Sequence, residues 1–85
     1  ACSLVYREPG RVAARQYRFT EAAAFQQKAV TTDPTDDIAK AELAFNLLRL
    51  GRTNEGRPLL EAAFSSDPFN VQAYNMLNVL DSLAG

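Results

Sequence analysis

Few residues of this 85-residue chain could do chemistry by their type and spacing. The sequence has no histidine and one cysteine, Cys2. This excludes a zinc site with the usual Cys and His ligands, a histidine-based triad and an intramolecular disulfide. Asp36 and Asp37 form the only adjacent carboxylate pair, and acidic residues there are typical of a helix start. We therefore predict no catalytic, cofactor-binding or metal-ligating residues, and we expect that the chain is not an enzyme.

Arginines in the N-terminal part recur at spacings of four, four and three residues, at Arg7, Arg11, Arg15 and Arg18. If the segment were one helix, these side chains would share a face. Residues 1–28 carry a net charge of +3 and residues 29–85 a net charge of −4. The arginine stripe is open to several interpretations: a solvated face, a face that pairs with the acidic half of a neighbouring molecule, a phosphate or acidic-peptide site, or a membrane-surface contact. Pro9 and Gly10 are expected to break the helix near Arg7, which weakens the case for a site.

The length and composition limit the class of protein to which these residues can belong. A chain of 85 residues with 47% hydrophobic residues makes one small domain, or a piece of a larger protein. The net charge of −1 argues against binding of nucleic acid as a polycation. No apolar run approaches the roughly 18 residues that span a bilayer, so we predict no membrane segment. The compartment stays open between cytoplasm and periplasm.

The sequence repeats itself at an offset of 34 residues. When residues 25–51 are compared with 59–85, six of the 27 pairs are identical, whereas chance would give about two. The identical pairs are Ala29/Ala63, Asp33/Asp67, Pro34/Pro68, Ala39/Ala73, Leu43/Leu77 and Gly51/Gly85.

Within this repeat, apolar residues recur with helical spacing between helix-stop residues. No segment sustains the alternation of apolar and polar residues that is typical of a strand. Two Asp-Pro corners end helices, and Gly51 is a C-terminal stop. We predict about five antiparallel helices joined by short loops, in an all-α fold. Four of the predicted helices cover about Arg11–Tyr17, Thr20–Val30, Ile38–Leu50 and, after a cap at Asn70, Val71–Leu83. The remaining helix lies between the last two, is capped by Thr53 or Asn54, and has Pro58 near the end of its first turn.

These residues resemble the tetratricopeptide repeat (TPR) family, whose repeat is a pair of antiparallel helices. In the middle repeat the matching positions are Leu43, Ala44 and Leu47, the turn Gly51, and then Leu60, Ala63 and Pro68. Lys40 departs from the family's large aromatic residue, and Gly56 stands where an Ala is usual. The resemblance covers about residues 19–85, with repeats at about 19–35, 36–69 and 70–85, and it leaves residues 1–18 as a lead-in or a partial helix.

A narrower resemblance is carried by residues 46–52 and 67–71. They look like repeats in bacterial proteins in which a TPR run precedes a zinc-peptidase-like (peptidase MA-type) domain. That resemblance implies that the chain is the helical fragment of a larger bacterial protein. The fragment itself has no histidine to ligate zinc.

The TPR resemblance implies a protein or peptide partner, bound in a groove lined by the first helix of each repeat. Mapped onto this sequence, the lining would be Ala41, Phe45, Leu48, Arg49, Gln72, Asn75, Met76 and Val79. The alternative is that Phe45, Leu48 and Val79 are simply core residues. Ala41, Glu42 and Phe45 stand where family members that clamp a C-terminal carboxylate need Lys, Arg or Asn. A mixed apolar and amide groove therefore fits a partner helix or an apolar peptide better.

A structural role is the other hypothesis. Leu77, Leu80 and Leu83 give the last helix apolar residues on several sides, and these need cover. Either the native chain continues past Gly85, or two copies pack end to end as a homodimer through the C-terminal helix.

Overall fold

The computed structural model describes residues 3–84, which form five α-helices. They are Leu4–Arg15 (α1), Phe19–Thr32 (α2), Asp37–Arg49 (α3), Thr53–Ser66 (α4) and Val71–Ala84 (α5). Turns of three or four residues separate them, and no strand occurs within residues 3–84. Each helix packs against the next, with the closest association within the pairs α1/α2 and α3/α4. The prediction of an all-α fold with about five antiparallel helices is confirmed.

Helix α1 differs from its prediction. The expected break at Pro9 and Gly10 is wrong, because α1 starts at Leu4 and continues through both residues. Proline at this position forgoes one helical hydrogen bond, which disfavours the helix locally. Packing compensates, because Gly10 is buried against α2 at a point where a Cβ would lie 3.0 Å from Gln26 Cγ. Tertiary contact therefore decides the extent of α1.

The turns that end α1 and α3 are equivalent at the 34-residue offset. Tyr17 has a φ of 61° and Gly51 a φ of 79°, so both adopt the left-handed conformation of a helix C-terminus. Arg18 N donates to Ala13 O at 2.9 Å, and Arg52 N donates to the equivalent Leu47 O at 2.8 Å. The structural repeat thus already includes α1, which lies before residues 25–51, the segment in which the sequence repeat was found.

The two Asp-Pro corners are also equivalent. Asp33 has φ −138° and ψ 91°, and Asp67 has φ −137° and ψ 89°. The side-chain Oδ1 of each accepts a hydrogen bond from the backbone N two residues later at 3.1 Å. The helices that follow are capped alike, since Asp36 Oδ1 accepts from Ala39 N at 3.1 Å and Asn70 Oδ1 accepts from Ala73 N at 3.0 Å.

The start of α4 corrects a second prediction. Arg52 occupies the cap position and its side chain caps no backbone N–H, so neither Thr53 nor Asn54 caps this helix. Pro58 consequently lies in the second turn rather than near the end of the first. Its helical position matches that of Pro9 in α1, and in both helices a buried glycine approaches a neighbouring helix closely. A Cβ on Gly56 would lie 3.2 Å from Ala44 O on α3.

Alanines at helix contacts and larger apolar residues between them form the core. Six alanines of α2 to α5 are fully inaccessible, which lets the helices approach closely: Ala22, Ala29, Ala39, Ala44, Ala63 and Ala73. What we call the C-terminal core cluster contains Ala44, Leu60, Ala73 and Leu80. A second cluster contains Ala23, Leu43 and Leu47. Leu77 packs against the C-terminal core cluster, whereas Leu83 remains 80% exposed.

Candidate peptide-binding groove

A groove of about 510 Å³ lies between α3 and α5. Its lining, which we call the groove residues, is Phe45, Leu48, Arg49, Gln72, Asn75, Met76 and Val79. The structure thus brings together seven of the eight residues proposed from the sequence. Ala41 does not line the groove and is buried at 6% exposure.

Helical spacing explains why these side chains share one surface. Leu48 and Arg49 follow Phe45 by three and four residues on α3, and Asn75 and Met76 follow Gln72 in the same way on α5. Phe45, Leu48 and Met76 are half-buried and also pack against the C-terminal core cluster. They therefore form the floor of the groove, while Val79, at 51% exposure, stands clear of the core.

Arg49 is the one charged residue in the lining of this groove. Asn46 Oδ1 accepts a hydrogen bond from Arg49 Nη1 at 2.9 Å. The Arg49 guanidinium carbon also lies 5.2 Å from the centroid of the Phe19 ring, within the range of a cation–π contact. Two contacts from different helices therefore orient an arginine that faces the groove.

A buried amide pair supports that arginine. Asn46 Nδ2 donates to Gln26 Oε1 of α2 and also to Glu42 O at 3.2 Å. Both residues are 1% exposed, so their amide groups need hydrogen-bond partners within the protein. The sequence analysis did not identify this pair. The available signal was a polar Asn46 between the apolar residues Phe45 and Leu47.

A smaller cavity of about 250 Å³ continues the concave surface from α3 to α1 and shares Phe45 and Arg49 with the groove. It adds Arg11, Arg15 and Glu42 as charged lining residues. First helices of successive repeats therefore contribute to one concave face.

The arginine stripe is not one helical face. Helix α1 ends at Arg15, and Arg18 follows a left-handed turn and precedes α2. Arg18 pairs with Glu21, just as Arg52 pairs with Glu55 one repeat later. The two N-terminal members instead join α1 to α3, because Arg7 Nη1 lies 3.1 Å from Asp36 Oδ2 and Arg11 Nε lies 2.9 Å from Glu42 Oε2.

These contacts shift the pKa values of Arg11 and Asp36. The hydrogen bond and the charge of Glu42 raise the pKa of Arg11. Burial is the largest single effect on Asp36 and pushes its pKa upward. The hydrogen bonds from Ala39 N, the Ser3 hydroxyl and Arg7 together outweigh it, so the pKa of Asp36 is lowered. Carboxylates of the same chain thus already pair with Arg7 and Arg11, the two arginines that a phosphate or acidic peptide would need.

Other kinds of site have little support in the part of the chain that the structure describes. There, no cluster of three His, Cys, Asp or Glu side chains could hold a metal ion. No helix among residues 3–84 is both long and apolar enough to cross a membrane. Cys2 lies outside the described residues.

A family model for the tetratricopeptide repeat matches residues 13–79. The chain belongs to the tetratricopeptide repeat family. TPR domains generally bind protein partners and are generally not catalytic. No curated protein and no solved structure shows significant similarity to the chain. The TPR match does not show that the chain comes from a zinc-peptidase-like protein. That parent protein and a domain boundary at residue 18 both stay predictions.

Proposed function

We propose that this TPR domain binds a segment of a partner protein in the groove between α3 and α5. The observation that carries the proposal is a single open cavity of about 510 Å³ with an apolar floor and amide side chains at its edge. Buried apolar area supplies affinity, and amides such as Gln72 and Asn75 supply hydrogen bonds that orient a bound backbone. No reaction is part of this proposal.

Selection of peptides tests it without knowledge of the natural partner. A phage library of random dodecapeptides is selected on the purified 85-residue chain, and the selected peptides are titrated into isotopically labelled protein. We expect the largest amide chemical-shift changes at the groove residues. Failure to select any peptide, or shifts confined to other surfaces, would contradict the proposal.

A matched pair of variants completes the test. Val79→Glu places a charge in the groove, whereas Ile38→Glu places one on an apolar residue outside it. The two side chains have similar exposure, 51% and 55%, so neither change disturbs the core. Val79→Glu should abolish peptide binding and Ile38→Glu should leave it intact. Equal effects of the two variants would show that the groove is not the binding surface.

Self-association through α5 is a second candidate function. Four apolar residues of this helix are at least half-exposed, namely Val71, Tyr74, Val79 and Leu83. An exposed apolar face of this kind favours contact with a second copy. Light scattering at about 100 µM would detect a dimer of biologically useful affinity. A monomer at that concentration would exclude this role, and Leu83→Glu should dissociate any dimer that forms.

The arginine stripe carries no comparable support, because Asp36 and Glu42 already pair with Arg7 and Arg11. Binding of nucleic acid through it would weaken steeply as salt rises. We expect a fluorescent oligonucleotide to show no such salt-dependent binding.

A further inference from the structure

Arg49 differs from almost every other basic residue of the chain. All nine Lys and Arg residues lie within the described part, and seven of them have a carboxylate partner there. Arg49 and Lys28 have none among the described residues. Lys28 is exposed on α2 and lies outside the groove, with its ammonium 6.0 Å from the Phe25 ring centroid. Arg49 alone combines an uncompensated charge with a position in the groove.

The same arginine is held in place. One of its five N–H donors is used on Asn46, whose amide is itself fixed by Gln26 and by Glu42 O. Phe19, the first residue of α2, contacts the guanidinium from a second helix. A guanidinium that is already oriented loses little side-chain entropy when it binds, and its remaining donors suit the two oxygens of a carboxylate.

We propose that Arg49 selects partner segments in which an internal Asp or Glu adjoins a bulky apolar residue. This proposal rests on the proposed function of the groove. The apolar residue would occupy the floor formed by Phe45, Leu48 and Met76, and the carboxylate would pair with Arg49 beside it.

The position of Arg49 favours an internal acidic residue over a chain end. Arg49 lines the groove toward α5 and also the two cavities toward α1 and α2. A segment that fills the concave face therefore continues on both sides of Arg49. The positive charge offered to that segment is that of Arg49, because Arg11 pairs with Glu42 and Arg15 lies 3.7 Å from Glu8 Oε1.

The selected dodecapeptides provide the test. We expect them to be enriched in an internal Asp or Glu next to a bulky apolar residue. Replacing that Glu by Gln in the peptide should weaken binding about tenfold, the lower end for a charge-assisted hydrogen bond, because Arg49 is solvent-accessible. Amidation of the peptide's C-terminus should have no effect. A requirement for a free C-terminus would overturn the internal placement.

Protein variants assign the effect to Arg49. Arg49→Gln should remove the difference between the Glu and Gln peptides, whereas Lys28→Gln, the other basic residue without a partner, should preserve it. Arg49→Glu should restore binding to a peptide in which the acidic residue is replaced by Lys, a rescue that a merely structural role would not produce. Thermal melts check that each variant is folded.

The outcomes separate the two proposals. If peptides bind in the groove and Val79→Glu abolishes binding, but neither the peptide Glu→Gln change nor Arg49→Gln alters affinity, the selectivity proposal is wrong and the groove proposal stands. If no peptide binds in the groove, both are wrong.

Discussion

Asp36 should be a much larger contributor to stability than its neighbour Asp37, although the sequence presents them as a pair. Asp36 caps α3 through Ala39 N and also accepts from Ser3 Oγ at 2.8 Å and from Arg7 Nη1 at 3.1 Å. Its side chain is 8% exposed, and that of Arg7 is 13% exposed. Within residues 3–84 the Asp37 carboxylate pairs only with Lys40, at 3.8 Å, and its side chain is 37% exposed.

Two substitutions divide the contribution of Asp36. Asp36→Asn keeps an oxygen for the cap but removes the charge, and should cost about 1–2 kcal/mol through the lost bonds to Ser3 and Arg7. Asp36→Ala also removes the cap, for about 1 kcal/mol more. Asp37→Asn, the control, should change stability by less than about 0.5 kcal/mol.

The measurement is urea unfolding at neutral pH, supported by thermal melts, in which each kcal/mol corresponds to about 4–8 °C for a domain of this size. Equal losses for Asp36→Asn and Asp37→Asn would refute the reasoning, because the two carboxylates would then be equivalent acids at a helix start.

The pH dependence gives an independent check. The pKa of Asp36 is lowered in the folded state. Its contribution is therefore complete above the unfolded value of about 3.9 and is lost as pH falls through the folded pKa below that value. The stability difference between the wild type and Asp36→Asn should shrink toward zero in acid. A difference that persists well below the unfolded pKa would contradict the charge-based explanation.

Three further predictions concern the fold. Ala63 is fully buried, so Ala63→Phe should destabilise the domain by about 1–3 kcal/mol, and an unchanged melting temperature would show that Ala63 does not lie between helices. Tyr17 and Gly51 share the left-handed turn position, so Tyr17→Gly should stabilise the domain and Gly51→Ala should destabilise it, by about 1 kcal/mol each in urea unfolding. Effects of the same sign would contradict the equivalence of the two turns. Asn46→Leu should lower the free energy of unfolding by about 1–3 kcal/mol, because it leaves the Gln26 amide unpaired. A double-mutant cycle with Gln26→Leu should show coupling between the two residues, whereas additive losses of stability would mean that the two amides do not interact.

The groove could largely be predicted because its residues sit on regular helices. Once α3 and α5 occupy equivalent places in a 34-residue repeat, helical spacing puts Phe45, Arg49 and Val79 on the same side. Ala41 was misassigned because a small residue on that side can lie beneath the surface, and only packing shows that it does.

The first repeat was harder to predict because its helix breaks local rules. Pro9 and Gly10 look like helix breakers, and Tyr17 is an unusual residue for a left-handed turn. A comparison of Arg18 and Glu21 with Arg52 and Glu55, 34 residues later, was the signal in the sequence that α1 belongs to a repeat.

By itself the sequence determined the helix ends at the Asp-Pro corners and the caps at Asp36 and Asn70, because hydrogen bonds between residues two or three positions apart define these features. The 34-residue period can likewise be read from the sequence, because identical residues recur at that offset. Only the tertiary structure decided which charges are neutralised. Arg11 meets Glu42 from 31 residues away and Asn46 meets Gln26 from 20, while Arg49 is left facing the groove. Contacts over such separations depend on how the helices pack, and no local pattern encodes them.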